Sequence, residues 1–235
     1  IILSRVLHLR NIGESTVAEI IDDLIVKQTN PTLAIYARRG EIIIRITAKA
    51  VDATAATVML DEGEAALRER LEKYIYGVDD ETLASYLGKK LLKQHKTISF
   101  AESCTGGLAS NLVTDIAGSS EYLIGSIVTY TNEAKHNLLK VKEETLNAYG
   151  AVSEETALEM AQGVRKLFGS DFGVGITGNA GPGGSEGKPV GLVYIAIATP
   201  DEVYCKEFNF TSTRIENKLR IALTAISMVI DKLSE

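Results

Sequence analysis

The chain has 235 residues, a formal net charge of −6 and 45% hydrophobic residues. Its basic residues form no long stripe, so it lacks the charge that nucleic-acid phosphates or an anionic membrane surface would require. No apolar run reaches the length of a membrane span. Cys104 and Cys205 have no partners at metal-ligand spacing, so we expect a cytoplasmic protein with reduced cysteines, although a disulfide between them stays an alternative.

Residues 1–76 predict a small α+β module with the element order strand, helix, strand, strand, helix. The predicted elements are a strand over 1–9, a helix over 13–25, a strand over 33–37, a hairpin tip at 38–40, a strand over 41–51 and a helix over 53–76. A linker is expected from Gly77 to Asp80. Because the chain begins inside an apolar segment and not with Met, we expect a piece of a longer protein.

Residues 77–235 alternate between helix and strand patterns, which predicts a larger α/β domain. Its predicted helices cover 82–94, 106–116, 133–139, 153–168 and 214–233, and its predicted strands cover 97–101, 124–131, 171–177, 190–199 and 203–210. The tight turn at Pro200 and Asp201 makes one strand pair antiparallel, so the sheet must be mixed. We therefore predict a three-layer α/β/α domain with helices on both faces of a mixed sheet.

The first candidate site is the segment AESCTGG, residues 101–107, which joins a buried strand to a helix. Such a corner presents its middle residue, Ser103, above the edge of the sheet. The backbone N–H groups of Cys104, Thr105 and Gly106 would point outward at the helix start, where they could hold an oxyanion. The alternative is an ordinary helix cap, because serine and threonine commonly precede helices for that reason alone.

The second candidate site is the segment VTYTNEAK, residues 128–135, in which a strand ends and Asn132 is the predicted helix cap. Lys135 then occupies the third helical position, where the helix dipole favours the neutral amine and lowers the lysine pKa. A neutral lysine is a base that can activate a serine. Tyr130 could orient the lysine or touch a substrate. The alternatives are an ion pair for the lysine and simple packing for the tyrosine.

Two further segments suggest an anion site. The glycine-rich loop GITGNAGPGG, residues 175–184, follows a strand and could bind a phosphate through consecutive N–H groups, with a plain connector as the alternative. Thr177 and Asn179 are its candidate hydrogen-bonding side chains. Arg214 lies in the first turn of the last helix, where it suits either a bound anion or a surface ion pair.

The four segments share one feature, because each begins at the carboxyl end of a predicted strand. Ligands of open α/β sheets collect at that edge, so the segments together predict one site. The glycine-rich loop has neither the Walker sequence nor the dinucleotide glycine spacing. Lys218 and Arg220 lie further along the last helix, and we expect both to be solvated.

The motifs AESCTGG, TYTNEAK, GAVSEETA and GITGNAGPGG, followed by GKPVG, resemble in that order the C-terminal domain of the CinA family. That domain is known as nicotinamide mononucleotide amidohydrolase, and residues 1–76 resemble, more diffusely, the KH-like module that precedes it. The resemblance implies that the carboxamide of nicotinamide mononucleotide is hydrolysed to nicotinate mononucleotide and ammonia. It implies a serine–lysine pair, an acyl-enzyme, a small nucleotide substrate, no cofactor and no metal.

By position in these motifs, the resemblance assigns Ser103 and Lys135 to catalysis and associates Tyr130 with them. The substrate-binding residues that it implies are Thr177, Gly178, Asn179, Ala180, Gly181, Gly183 and Arg214. The sequence departs from the family before the arginine, where Ser212-Thr213 replaces Gly-Asp or Asn. Thr131 also replaces a common serine, and neither change removes a proposed catalytic group.

Three alternatives stay open. Cys104 beside Ser103 and His136 beside Lys135 could form a Cys–His pair. A regulatory module that binds a nucleotide without turnover could use the same cations. The KH-like module could bind nucleic acid. However, the acidic Glu14 lies in the glycine-flanked loop where such a module would hold phosphates, and it would repel them. We therefore expect that module to be a spacer or a dimer contact, in a homodimer or higher homo-oligomer.

Overall fold

The structure is a computed structural model that describes residues 1–38 and 41–235. It divides into two compact units, Ile1–Tyr86 and Leu87–Glu235, and contains two separate sheets. The predicted hairpin tip at 38–40 lies outside the described residues, except for its first residue, Arg38.

The first unit is built on a four-stranded sheet. Its elements are β1 (Ile2–Leu9), α1 (Glu14–Ile20), α2 (Asp22–Lys27), β2 (Thr32–Arg38), β3 (Glu41–Lys49), α3 (Ala53–Leu71) and β4 (Ile75–Val78). The strand order is β2-β3-β1-β4, and each neighbouring pair is antiparallel. Leu7, Ile44 and Ile46 of the sheet are fully buried in one cluster with Leu67 of α3, so helix and sheet share a core.

Two element predictions for this unit are wrong in detail. The helix predicted over 13–25 is two helices, because the backbone leaves the helical region at Ile21, where φ is −112° and ψ is 16°. The helix predicted over 53–76 ends at Leu71, and Ile75–Val78 instead pairs with β1. Strand pairing therefore extends the first sheet past residue 76, where we predicted the domain boundary.

The second unit, with the helix α4 that leads into it, contains the larger sheet. Its elements are α4 (Leu83–Lys93), β5 (Ile98–Glu102), α5 (Leu108–Thr114), a 3-10 turn (Ser119–Glu121), β6 (Leu123–Val128), α6 (Asn132–Leu139), α7 (Glu143–Tyr149), α8 (Glu154–Phe168), β7 (Phe172–Gly178), β8 (Leu192–Ala198), β9 (Val203–Asn209) and α9 (Arg214–Lys232). The strand order is β6-β5-β7-β8-β9. The sheet is mixed, as predicted: β5 is parallel to β6 and β7, whereas β8 is antiparallel to β7 and β9.

Helices cover both faces of this sheet. On one face, α8 packs against all five strands and also contacts α6 and α7, whereas α5 and α9 pack together on the other face. Gly175 in β7 allows α8 to approach closely, because a Cβ at this position would lie 2.4 Å from the Ala157 carbonyl oxygen. The observed layers are those of the predicted three-layer fold.

Strand direction brings the candidate segments to one edge of the sheet. Strands β5, β6 and β7 are parallel, and β9 runs the same way because β8 is antiparallel to both of its neighbours. The segments after these four strands therefore begin at the same edge, which confirms the expectation from sequence.

Candidate active site

Ser103 is held by a tight turn directly after β5. Its N–H donates to the Ile176 carbonyl of β7 over 2.9 Å, and its carbonyl accepts from the Gly106 N–H over 3.1 Å. The residue is 8% exposed, so only a small part of the hydroxyl environment is open to solvent. Main-chain hydrogen bonds of both its N–H and its carbonyl therefore fix Ser103 at the carboxyl edge of the sheet.

The residue before this serine organises the following helix. Glu102 is completely buried. Its carboxylate accepts from the N–H groups of Gly107 (3.0 Å), Ala109 (3.1 Å) and Ser110 (2.8 Å), and from the Ser110 hydroxyl (2.9 Å). The carboxylate thus caps α5 from the strand, and the helix begins at Leu108, two residues later than predicted. The acid at the end of a buried strand was the signal for this role, which the sequence reasoning missed.

The three N–H groups predicted to bind an oxyanion are not equally free to donate a hydrogen bond. The Gly106 N–H is engaged by the Ser103 carbonyl in the turn. The N–H groups of Cys104 and Thr105 have no backbone acceptor within residues 1–38 and 41–235. The Thr105 hydroxyl is also buried without a partner in this part of the chain. Cys104 and Thr105 are therefore the better candidates for oxyanion donors.

Lys135 is completely buried in α6, and its amine contacts three oxygens. Its Nζ lies 3.2 Å from Ser103 Oγ, 2.9 Å from the Thr129 carbonyl and 3.4 Å from the Tyr130 carbonyl. A neutral amine has two N–H donors, which can serve the two carbonyls. Its lone pair is then left to accept a hydrogen bond from the serine hydroxyl. This geometry is that of a base positioned on Ser103.

The surroundings of the amine shift Lys135 toward its neutral form. Burial lowers the pKa of Lys135 to about 8, while Cys104 and Glu186 act in the opposite direction. The charged form loses its hydration in such a position, and that loss is the main cause of the shift. A substantial fraction of the lysine is consequently neutral at slightly alkaline pH.

The sequence explanation of this pKa needs two corrections. Thr131, not Asn132, is the N-cap of α6, and its hydroxyl accepts from the Ala134 N–H over 3.1 Å. Lys135 is therefore the fourth helical residue, where its own N–H already bonds the Thr131 carbonyl over 3.1 Å. Burial, and not the field of the helix end, is the main cause of the low pKa.

Tyr130 and Arg214 meet beside the Ser103–Lys135 pair (the dyad). The Tyr130 hydroxyl accepts a hydrogen bond from Arg214 Nη2 over 3.0 Å, and the Gly181 carbonyl accepts from Arg214 Nη1. The arginine therefore joins the end of β6 to the glycine-rich loop. Tyr130 contacts the lysine through its main-chain carbonyl, whereas its side chain is 59% exposed and faces outward.

The predicted binding side chains of the glycine-rich loop are used to hold the loop together. Asn179 donates to the carbonyls of Lys188 (3.2 Å) and Pro189 (3.3 Å) and accepts from the Ser185 hydroxyl (2.6 Å). Thr177, which is buried, donates to the Ala151 carbonyl over 2.6 Å. Neither side chain is directed at the dyad as a free donor, which differs from the sequence expectation.

The remaining predicted loop residues have different positions. Gly178 is the last residue of β7 and pairs with Val193 in the sheet. The Ala180 carbonyl accepts from the Asn217 side chain over 3.1 Å, and Gly181 contacts Arg214 as described above. Gly183 is exposed in the loop. Of this group, Gly181 is the residue that the structure joins to the arginine.

Glu186 is a further residue that sequence reasoning missed. Its carboxylate accepts from the N–H groups of Ala151 (2.9 Å) and Val152 (3.2 Å), which anchors the glycine-rich loop to the start of α8. A Cβ on Gly150 would lie 2.3 Å from Glu186 Oε2, so the glycine of the GAVS motif makes room for this contact. Because Glu186 also acts on the pKa of Lys135, the loop and the dyad are electrostatically linked.

The Cys–His alternative is not supported by the geometry. Burial raises the pKa of the Cys104 thiol to about 12, which disfavours the reactive thiolate. His136 Nδ1 lies 2.8 Å from the Val141 carbonyl, and Nε2 lies 3.7 Å from Glu143. The histidine thus faces the connection between α6 and α7, not the serine turn.

The described residues contain neither a metal-ligand cluster nor a helix that could span a membrane. Residues 1–38 and 41–235 contain no cluster of three or more His, Cys, Asp or Glu side chains that could hold a metal ion. None of the helices in the same ranges combines the length and the apolar character that crossing a membrane requires. Cys104 and Cys205 are both free thiols.

Comparison with known proteins decides the family. Residues 80–233 match the family model of the CinA C-terminal domain, and residues 4–77 match that of the damage-inducible protein CinA KH domain. The chain belongs to the CinA family. The CinA match thus covers both regions that the motifs indicated, and it includes every catalytic and binding residue predicted from sequence.

CinA relatives and solved CinA structures agree with this assignment. A competence-damage inducible protein homologue from Moorella thermoacetica is 48% identical over 230 residues, and a CinA-like protein from Prochlorococcus marinus is 44% identical over 234 residues. Each alignment covers 97% of this chain but 55% of the relative, so the chain spans about half the length of these relatives.

The solved CinA structures match about two thirds of this chain. The competence/damage inducible protein CihA from Agrobacterium tumefaciens is 40% identical with a TM-score of 0.61, over 66% of this chain and 98% of that one. A CinA superfamily protein from Klebsiella pneumoniae is 31% identical with a TM-score of 0.64, over 65% of this chain and 96% of that one.

Proposed function

We propose that this chain hydrolyses the carboxamide of nicotinamide mononucleotide to nicotinate mononucleotide and ammonia. The observation that carries the proposal is the 3.2 Å approach of the buried Lys135 amine to the Ser103 hydroxyl. A serine needs a base to become a nucleophile, and an amine with a pKa of about 8 is suited to that task near neutral pH. The nucleotide itself is the substrate that the CinA resemblance implies.

The acylation step begins when Lys135 Nζ accepts the Ser103 hydroxyl proton. Ser103 Oγ bonds to the carboxamide carbon, and the amide oxygen becomes an oxyanion that the N–H groups of Cys104 and Thr105 stabilise. The lysine ammonium then gives its proton to the amide nitrogen. The carbon–nitrogen bond breaks, ammonia leaves, and the nicotinoyl group remains bound to the serine as an ester.

The deacylation step repeats the same proton transfers with water. Lys135 accepts a proton from a water molecule, and the hydroxide attacks the ester carbon. The bond to Ser103 Oγ breaks, and the lysine returns its proton to the serine. Nicotinate mononucleotide forms as the carboxylic acid, which releases its proton to solvent and leaves as the carboxylate. Arg214, which lies on the exposed side of this site, would hold the phosphate of the nucleotide.

The test is the release of ammonia from nicotinamide mononucleotide by the purified chain and by two serine variants. We expect Ser103→Ala to lower kcat by about 10³-fold or more, because the other two described contacts of the amine are main-chain carbonyls, which are not nucleophiles. Ser120→Ala, a change at an exposed serine in the 3-10 turn, should keep the wild-type rate. Circular dichroism verifies that both variants are folded.

Two results would overturn this function. A Ser103→Ala variant with the wild-type rate removes the serine from the mechanism. A wild-type chain that binds the nucleotide but releases no ammonia supports the non-catalytic nucleotide-binding module instead, because the lysine and the arginine would suit anion binding alone.

A further inference from the structure

Lys218 is a cation that reaches back over the turn of the serine. Its Nζ would lie 3.7 Å from a Cβ built on Gly106, the residue that closes the turn from Ser103. Lys218 is half-buried, and the described part of the chain provides no hydrogen bond or ion pair to its amine. Lys218 was expected to be solvated, and the structure adds that its amine is directed at the edge of the sheet where Ser103 lies.

The surface at Gly106 is otherwise open. Apart from its chain neighbours, Lys218 Nζ is the single described heavy atom within 4 Å of the Cβ position of this glycine. A ligand that extends from Ser103 along this surface would meet the lysine ammonium. The open surface thus ends at a positive charge, in a chain whose formal net charge is −6.

A second cation lies one helical turn away. Arg214 and Lys218 are four residues apart on α9, so they lie on the same side of the helix. Like charges at this spacing are destabilising, and cations in the first turns of a helix oppose its dipole. The pair therefore costs stability in the free chain, and a bound anion would offset that cost.

The buried residue between the two cations fixes their position. Asn217 is completely buried, and its side chain donates to the carbonyls of Ala180 (3.1 Å) and Ser212 (3.0 Å) and accepts from the Ser212 N–H (3.0 Å). These bonds hold the start of α9 against the glycine-rich loop. Arg214 and Lys218 are consequently presented from a rigid helix end, which favours binding of a ligand in one orientation.

We infer that Lys218 is a second phosphate-binding residue, which together with Arg214 binds the dianionic phosphate monoester of the substrate. This inference rests on the proposed function and deepens it, because it makes the phosphate a determinant of specificity. A guanidinium and an ammonium together match the two negative charges of the monoester. The site would select a nucleotide over the nucleoside that carries the same carboxamide.

The experiment compares ammonia release from nicotinamide mononucleotide and from nicotinamide riboside, which lacks the phosphate. Lys218→Gln should raise the KM for the mononucleotide about tenfold, equivalent to about 1.4 kcal/mol, and lower the preference for the mononucleotide over the riboside by the same factor. Lys218→Arg should restore most of that preference because it restores the charge. Lys166→Gln, which removes the same charge from an exposed position on α8, should change neither the KM for the mononucleotide nor the preference for it over the riboside.

The opposite results are equally specific. An unchanged KM for the mononucleotide in Lys218→Gln, or an equal loss on both substrates, overturns the phosphate role. If the wild type releases ammonia from neither substrate, the proposed function fails, and calorimetric binding of nicotinamide mononucleotide then tests Lys218 separately. If Lys218→Gln binds the mononucleotide about ten times more weakly than the wild type does, the phosphate site is supported. If the two proteins bind it equally, or if the wild type does not bind it, the phosphate site is overturned.

Discussion

Lys135 combines two properties that a lysine normally avoids, because it is completely buried and has no carboxylate within salt-bridge distance in the described residues. Its contacts are two carbonyl oxygens and one hydroxyl, which satisfy hydrogen bonding without neutralising an ammonium. The folded chain therefore disfavours the protonated form, whereas the unfolded chain holds this lysine charged up to its ordinary pKa of about 10.4.

This difference predicts a pH-dependent stability that disappears in Lys135→Met. Between pH 8 and pH 10 the unfolded wild type binds the lysine proton and the folded wild type has released it, so the free energy of unfolding rises with pH. Relative to Lys135→Met, the rise should approach about 1.4 kcal/mol per pH unit inside this window and vanish below it. Urea unfolding of both proteins at several pH values measures the difference.

The comparison with methionine cancels the other titrating groups, because both proteins share them. A constant difference in unfolding free energy from pH 7 to pH 10 would show that the folded lysine has an ordinary pKa. The amine could then not serve as a neutral base near pH 8.

At the scale of elements, the site is assembled by the ends of strands and the loops that follow them. Glu102 fastens the start of α5 to β5, and Asn217 fastens the start of α9 to the glycine-rich loop. Glu186 fastens the same loop to the start of α8. Three polar side chains therefore hold the helix starts around the dyad, and none of the three was predicted to do so.

Glu186 gives a prediction that separates its charge from its anchoring role. Glu186→Gln keeps an oxygen for the Ala151 or Val152 N–H but removes the negative charge that raises the pKa of Lys135. We therefore expect the pH at which activity is half-maximal to move downward. Glu186→Ala also releases the loop, so the KM should rise by about tenfold. Measuring kcat and KM as a function of pH for both variants tests the shift in half-maximal pH and the rise in KM.

The matched control is Glu144→Gln, which removes one charge from an exposed position on α7. It should leave the pH dependence and the KM as in the wild type. A Glu186→Gln profile that coincides with that of Glu144→Gln would contradict the electrostatic link between loop and dyad.

Across the whole molecule, the layers of the fold and the shared edge of the candidate segments were predictable from sequence, but the side chains that position those segments were not. Strand–helix alternation and the Pro200-Asp201 turn were sufficient for a mixed sheet covered on both faces. The CinA resemblance implied a pairing of Lys135 with Ser103, and strand direction placed their two segments at the same edge of the sheet. The strand β4 was missed because its pairing with β1 joins segments about 70 residues apart, a contact that no local pattern encodes.

Contacts formed by the fold also explain why the predicted binding side chains of the glycine-rich loop are already hydrogen-bonded. Asn179 and Thr177 look like ligand donors in sequence, yet their acceptors belong to Lys188, Pro189 and Ala151, which only the fold brings close. Helix position alone also does not show that Lys218 reaches across to Gly106. The candidate catalytic residues, Ser103 and Lys135, were thus easier to predict from sequence than the residues that position the segments around them.

The most direct test of the proton transfer is the pH dependence of kcat/KM for ammonia release from nicotinamide mononucleotide, measured from pH 6 to pH 9.5. The wild type should rise about tenfold per pH unit and level off above a pKa of about 8, where Lys135 becomes neutral. Lys135→Met should be inactive throughout. Equal wild-type activity at pH 6 and pH 9, or wild-type activity in Lys135→Met, would contradict a neutral lysine acting on Ser103.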